Sequence, residues 1–218
     1  MFPVALGTAD RPVRQILALG AHPDDIEIGC GGAILKITEQ YQPRSVVWVV
    51  FSGSRERAEE ARSSAKAFLE GVEEQRVDVK GFRDGFFPGS SSAIKESFEE
   101  LKGAVAPDVI FTHRRQDAHQ DHRLIAELTW NTFRDHLILE YEIPKYEGDL
   151  GAPNLFVPLD RSIAARKIEL LLKGFPSQHR RTWFDADLFW AVLRLRGLEA
   201  SSPTRYAEGF YSRKMVLS

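Results

Sequence analysis

AHPDDIEIGCGG, residues 21–32, crowds one imidazole and three carboxylates into the six positions from His22 to Glu27, directly after the apolar run QILALGA (Gln15 to Ala21). The apolar run reads as a buried strand, and GGAILKITEQY after the charges sets Ile34, Leu35 and Ile37 at helical spacing. The charged residues thus fall in the loop between a strand and a helix, at the point where the strand ends.

Working outward, the same unit recurs. SVVWVVFS (Ser45 to Ser52) is rich in β-branched residues and suited to burial on both faces, as the central strands of a parallel sheet are. Glu56 to Leu69 reads as a helix. RVDVKGF and PDVIFTH are further strands with the helix SAIKESFEELKGAV between them, and HRLIAELTWNTFRDHL reads as the helix that follows. After Tyr141 the pattern loosens into the Pro/Gly-bearing loop YEIPKYEGDLGAPN. The strand candidate NLFVPLD comes next, then helical stretches near Ser162 to Lys173 and Asp185 to Leu195. This alternation predicts an α/β fold, a Rossmann-like and mainly parallel sheet flanked by helices, with the active site at the C-terminal edge of the strands.

The 218 residues suit a single domain spanning 1–218, with no repeat, low-complexity tract or linker. A formal charge of −2 argues against a nucleic-acid partner, so any anion site must be local. Cys30 is the one cysteine, which excludes an intrachain disulfide and a cysteine-rich metal site. MFPVALGTADRPVR lacks the cationic and apolar regions of a signal peptide. No apolar run approaches the roughly 18 residues of a membrane span, and the expected location is cytoplasmic.

A second charged cluster, Asp117-Ala-His-Gln-Asp-His122, follows PDVIFTH at the start of a helix. Both clusters lie on the same sheet edge, so they can meet. Residues three apart in a first helical turn share a side, which pairs His22 with Asp25 and His119 with His122. Pro23 suits the first position of such a turn. Two histidines and a carboxylate with one coordination position left open form a common hydrolytic zinc site, making His22, Asp25 and His122 the candidate ligands. Asp24, beside them and not needed as a ligand, is the candidate general base. Asp121 is expected to support the imidazole of His119, whose charged form can stabilise an oxyanion or donate a proton.

Plainer readings exist for each feature. Aspartates favour helix N-termini, which accounts for one of them and hardly the rest. HQDH can be a solvated helix start. GCGG can mark a backbone that passes close to a strand or helix, and it lacks the spacing of a phosphate loop. Cys30, flanked by Ile28 and Gly29, reads as a small buried residue rather than a nucleophile.

AHPDDIEIGCGGAI and DAHQDHR closely resemble the paired motifs of PIG-L/LmbE-like N-acetylsugar deacetylases. SRERAEEARSSAKAFLEG is similar to that family's R-x-x-E helix, and RYAEGF to an element near its end. The resemblance implies one Zn2+ per chain, with other divalent metals able to serve, held by His22, Asp25 and His122. It implies Asp24 as base and His119 as the electrostatic or acid partner. Its expected reaction is hydrolysis of an N-acetyl group on an amino sugar to acetate and a free amine; the basic stretch from Ser177 to Trp183 adds the expectation of a nucleotide-linked or otherwise activated sugar. The chain departs from the family in having Ile26 after the paired aspartates, with Glu27 next, and in the LEG ending of the Arg-bearing helix. Arg57 is the expected substrate contact and Arg55 a weaker one.

Substrate recognition is expected from YEIPKYEGDLGAPN, whose tyrosines and Asn suit sugar stacking and hydroxyl binding. Lys173 and SQHRRTW (Ser177 to Trp183) can pair with a phosphate on an anionic substrate or form an ordinary solvated face. Three rival readings remain: a metal-dependent phosphoesterase, a non-catalytic sugar-binding or partner-binding domain, and a nucleotide-binding module. The first lacks spare ligands, and the second leaves Asp24 and His119 unexplained. The third lacks a dinucleotide fingerprint.

Overall fold

A computed structural model describes residues 3–216. Among the described residues, seven strands form one sheet: β1 (Gln15–Gly20), β2 (Ser45–Ser52), β3 (Glu74–Phe82), β4 (Val109–His113), β5 (Leu137–Tyr141), β6 (Leu155–Leu159) and β7 (Tyr206–Ser212). Their spatial order is β3-β2-β1-β4-β5-β7-β6. Strands β1 to β5 pair in parallel, and β7 runs antiparallel to both β5 and β6. The chain lays β2 and β3 on one side of β1, then returns to lay β4 and β5 on the other. The order therefore reverses between β1 and β4, and a crevice opens beyond their C-terminal ends.

Helices α1 (Asp25–Tyr41), α2 (Arg55–Phe68), α3 (Ser91–Ala104), α4 (Gln120–Thr132), α5 (Arg161–Gly174) and α6 (Ala186–Glu199) cover the sheet. Side chains alternate along β1: Ile16 and Ala18 enter the core that also holds Phe68 of α2 and Leu171 of α5, whereas Leu17 and Leu19 enter the one with Phe98 of α3 and Ile125 of α4. With both faces covered, β2 is buried at all eight positions, which accounts for its apolar sequence.

The glycine-rich stretch lies inside α1, not in a loop before it, and serves close packing. A Cβ on Gly29 would run into the ring of Tyr141, and one on Gly32 would meet Leu159 and Glu208. At this contact Glu208 of β7 accepts the N–H groups of Gly32 (2.8 Å) and Ala33 (2.6 Å). Lys167 of α5 donates to the Ile28 carbonyl and to Glu208, each at 2.6 Å. Both partners are buried, and each charge is matched by its opposite and by backbone dipoles.

Two boundaries differ from the sequence reading. The helix read through Leu137 ends at Thr132, and LILEY becomes β5; Phe133 is buried, and Arg134 to His136 form the turn between them. RYAEGF supplies β7, whose strand character is masked by Glu208 and Gly209 in its centre. Gly29→Ala is expected to lower stability by about 1–3 kcal/mol through overpacking against the fully buried Tyr141. Denaturant unfolding measures it, and an unchanged midpoint would show that α1 can withdraw from that ring.

Candidate metal centre and active site

The turn after β1 is held to β2, because the Ala21 carbonyl accepts both the N–H (2.9 Å) and the hydroxyl (2.8 Å) of Ser52. Asp24 then takes a left-handed backbone conformation (φ 92°), a strained one for a residue with a Cβ. His22 and Asp25 consequently meet across a tight turn rather than within a helical one, and the Asp25 carboxylate folds back to accept the His22 N–H at 2.6 Å. Across the crevice, β4 ends at His113 and α4 begins at Gln120. His119 is the residue capping α4, and His122 lies in its first turn.

Four donor atoms from three side chains of these two segments converge. His22 Nδ1 lies 3.1 Å from His122 Nε2 and 3.4 Å from Asp25 Oδ2, and His122 Nε2 lies 3.6 Å from Asp25 Oδ1. The edge of a tetrahedron around zinc, with bonds of about 2.0–2.1 Å to nitrogen and oxygen, is about 3.3–3.4 Å. The donor set therefore fits a small divalent cation. Among the described residues, the groupings whose donor atoms all lie within 4.8 Å of one another are His22 with His119 and His122, Asp25 with His113 and His122, and His22 with Asp84 and Asp121. All of them share His22 or His122, so they describe one centre.

Each imidazole that turns one nitrogen to this point rests its other nitrogen on a carboxylate. His122 Nδ1 meets Asp117 at 3.1 Å, and His22 Nε2 meets Asp121 at 3.3 Å and Asp84 at 3.1 Å. Such contacts set the tautomer and aim of a metal-binding imidazole. Asp117 is held in turn by Lys145 (3.0 Å) and by the His119 N–H (2.8 Å). Asp121 accepts the N–H groups of Gly85 (2.6 Å) and Phe87 (3.1 Å), which pins the loop after β3 to α4.

That placement corrects the expected pairing of Asp121 with His119. The Asp121 carboxylate faces His22, because the loop carrying Gly85 and Phe87 draws it away from the helix start. His119 Nδ1 instead accepts the Asp121 backbone N–H at 3.3 Å. In that arrangement the His119 proton sits on Nε2, and the ring stands edge-on to His22 with centroids 4.9 Å apart.

The paired aspartates are driven in opposite directions. Burial pushes Asp24 up to about 7, restrained by the Arg57 guanidinium, which bonds it at 2.9 Å. Asp25 is equally buried, yet His122 and His113 outweigh the desolvation and hold it well below the carboxylate range. Burial lowers His122 to about 4, aided by the neighbouring His113, so its ring is neutral at pH 7. For His22 burial opposes a charge, but the carboxylates of Asp121, Asp25 and Asp84 prevail and raise it well above its ordinary value. A cation arriving there must displace that proton.

Arg57 joins the centre through Asp24 and also reaches the Ser177 hydroxyl at 3.4 Å, while Arg55 is exposed at the start of α2. Cys30 is buried and donates to the Ile26 carbonyl, as a structural residue would. Two expected sugar contacts are structural instead: Tyr141 is fully buried, and the Asn154 amide bonds the backbone of Ser212 in both directions. Tyr146, 79% exposed, remains available, with its hydroxyl 3.2 Å from that of Thr182. Lys173, Arg180 and Arg181 are exposed.

Sequence reasoning did not single out His113, Asp84 or Lys145, and gave Asp117 no role. An ionisable residue closing an apolar strand on the same edge was the available signal for His113. Nothing local marks Asp84 or Lys145, whose positions depend on loops folding back over the crevice.

Residues 17–133 match the family model described as PIG-L, GlcNAc-PI de-N-acetylase. The Uncharacterized deacetylase YaiS of Escherichia coli (strain K12) is 30% identical over 142 residues, covering 60% of this chain and 75% of that protein. In fold, N,N'-diacetylchitobiose deacetylase from Pyrococcus horikoshii is similar at a TM-score of 0.67 and 18% identity, over 92% of this chain and 84% of that one. GalB, the 4-carboxy-2-hydroxymuconate hydratase of Pseudomonas putida KT2440, is similar at a TM-score of 0.71 and 17% identity, over 94% and 98%.

One carboxylate of the opening stretch stands apart from the centre. Glu27 is 1% exposed, neither of its oxygens has a hydrogen-bond partner, and burial raises its pKa from 4.5 to about 8. Between those values the folded chain holds a proton that the unfolded chain has released, so Glu27 makes stability fall as pH rises. Glu27→Gln should flatten that fall in metal-free protein, with the greatest gain over wild type above pH 8. Unfolding curves at several pH values check this, and parallel profiles for the two proteins would contradict it.

Proposed function

The chain belongs to the PIG-L family of deacetylases, and from that premise we propose that it is a divalent-metal-dependent, in the first instance zinc-dependent, hydrolase. Its reaction is removal of the N-acetyl group of an amino sugar. The observation carrying this reading is the convergence of the side chains of His22, Asp25 and His122, with His119 beside them and Asp24 held by Arg57. In this reading those three residues hold the cation, Asp24 is the base, and His119 and Arg57 serve the substrate. A cation held there would acidify water and polarise the amide carbonyl.

The chain's own residues supply the rest. The Asp24 carboxylate takes a proton from the attacking water, and a pKa of about 7 suits it both to accept that proton and to return it. Arg57 fixes the carboxylate in place and keeps its pKa from rising further. His119, with its proton on Nε2, donates to the oxyanion that develops as the carbonyl carbon becomes tetrahedral. Asp24 then delivers its proton to the departing amine. Burial of Asp24, Asp25 and His122 keeps water from screening these charges.

The N,N'-diacetylchitobiose deacetylase acts, by its name, on an N-acetylated sugar, and this supports an amino-sugar substrate here. The exposed Arg180 and Arg181, beyond the Ser177 that meets Arg57, favour a substrate with an anionic group. A cytoplasmic location is part of the same reading, and no helix among the described residues is long and apolar enough to cross a membrane.

The test is acetate release from a panel of N-acetyl sugars, free and nucleotide-linked, by protein stripped of metal and reloaded with zinc. Zinc-dependent acetate from a panel member is expected, and none from any member by zinc-loaded protein would oppose the reading. Asp24→Asn should keep its zinc and lose about 10²–10⁴-fold in turnover. Near-normal turnover would remove Asp24 from the mechanism. In the wild type, activity should rise with pH as Asp24 loses its proton, and a rate flat from pH 5 to 9 would contradict that role.

A further inference from the structure

His113 carries no role in the mechanism above, yet its fully buried ring touches every element that builds the centre. It is the last residue of β4. Its Nε2 lies 2.9 Å from the N–H of Ala21, at the exit of β1, and 3.1 Å from Asp25 Oδ2, at the start of α1. Its ring stacks on that of His122, in α4, with centroids 3.9 Å apart and planes 14° from parallel. The Tyr141 hydroxyl, at the end of β5, stands 3.3 Å away and donates to the Leu19 carbonyl of β1 at 2.7 Å.

The imidazole leaves its Nδ1 buried without a hydrogen-bond partner, a cost that phenylalanine would not carry. What the imidazole adds is Nε2, which accepts the N–H of Ala21 at the start of the His22-bearing turn. The same Ala21 N–H points at the lone pair that a cation would need, so His113 is not itself a ligand.

Resting on the metal reading of the previous section, we propose that His113 is a positioning residue: its Nε2 holds the His22-bearing turn through the Ala21 N–H and its stacked ring holds His122, so that the donor atoms keep their spacing. It stands behind the ligands and touches neither substrate nor the reacting atoms.

The test is zinc affinity of the full chain, stripped and titrated against a chromophoric chelator, for wild type, His122→Ala, His113→Phe and His113→Gln. His113→Phe keeps the ring and its stacking and loses Nε2. Its affinity should fall by about 10–100-fold, the usual effect of removing a residue behind a metal ligand. The metal-free protein should remain folded, with some loss of stability because the buried Ala21 N–H loses its acceptor. His113→Gln, which returns a polar group within reach, should recover part of the loss. At saturating zinc, His113→Phe should lower kcat and leave KM unchanged, a split that general destabilisation would not produce. Folded His113→Phe with wild-type zinc affinity would overturn the proposal. If that variant does not fold, His113→Gln decides alone, and an affinity no better than that of His122→Ala overturns it. Wild-type protein that takes up no zinc would instead overturn the metal reading on which the proposal rests.

Discussion

The parallel pairing of β1 with β4 is the constraint on which the rest depends. Ile16 faces Val109 and Ala18 faces Phe111, so the two strands end side by side, and the residues beyond them share one crevice. A slip of one residue would exchange the faces of either strand and send its buried side chains to the wrong core. The register is therefore secured by the two cores on either side of the sheet. It delivers His22, Asp24 and Asp25 from one motif to His119 and His122 from the other.

Once the motifs meet, burial sorts their chemistry. Asp24 and Asp25 are neighbours in the chain with nearly the same exposure, 5% and 3%, yet their environments separate them. Two imidazoles outweigh desolvation at Asp25, which stays ionised, while a single guanidinium leaves Asp24 poised near neutrality. Adjacent carboxylates driven apart in this way are suited to different tasks, one to hold charge and the other to exchange a proton. The Asp24 carboxylate bonds the Arg57 guanidinium at 2.9 Å, whereas that of Asp25 meets the imidazoles of His22, His113 and His122.

The scaffold itself is shared by proteins of different chemistry, since a deacetylase and a hydratase superpose on it at similar TM-scores. Fold likeness at such low identity says nothing of the reaction, and the argument for deacetylation rests on family membership and on the donor set. The loop after β3 is fastened by Asp121, the one after β5 by Lys145, and the segment after α5 by the Glu60 carboxylate, which binds the Ser177 N–H at 2.8 Å and its hydroxyl at 2.6 Å.

The sequence carries the alternation of strands and helices and the edge on which the charges fall. These follow from short-range periodicity and from the rule that parallel strands end on one edge. It also marked GCGG as a place of close approach. Only the tertiary structure decided what approaches: Tyr141, Glu208 and Lys167 come from strands and helices far along the chain. It likewise turned Asp121 toward His22, set Asp117 behind His122 and placed His113 beneath the centre. Each of these is a contact between segments remote in sequence, and local spacing carries no trace of a partner supplied by another strand.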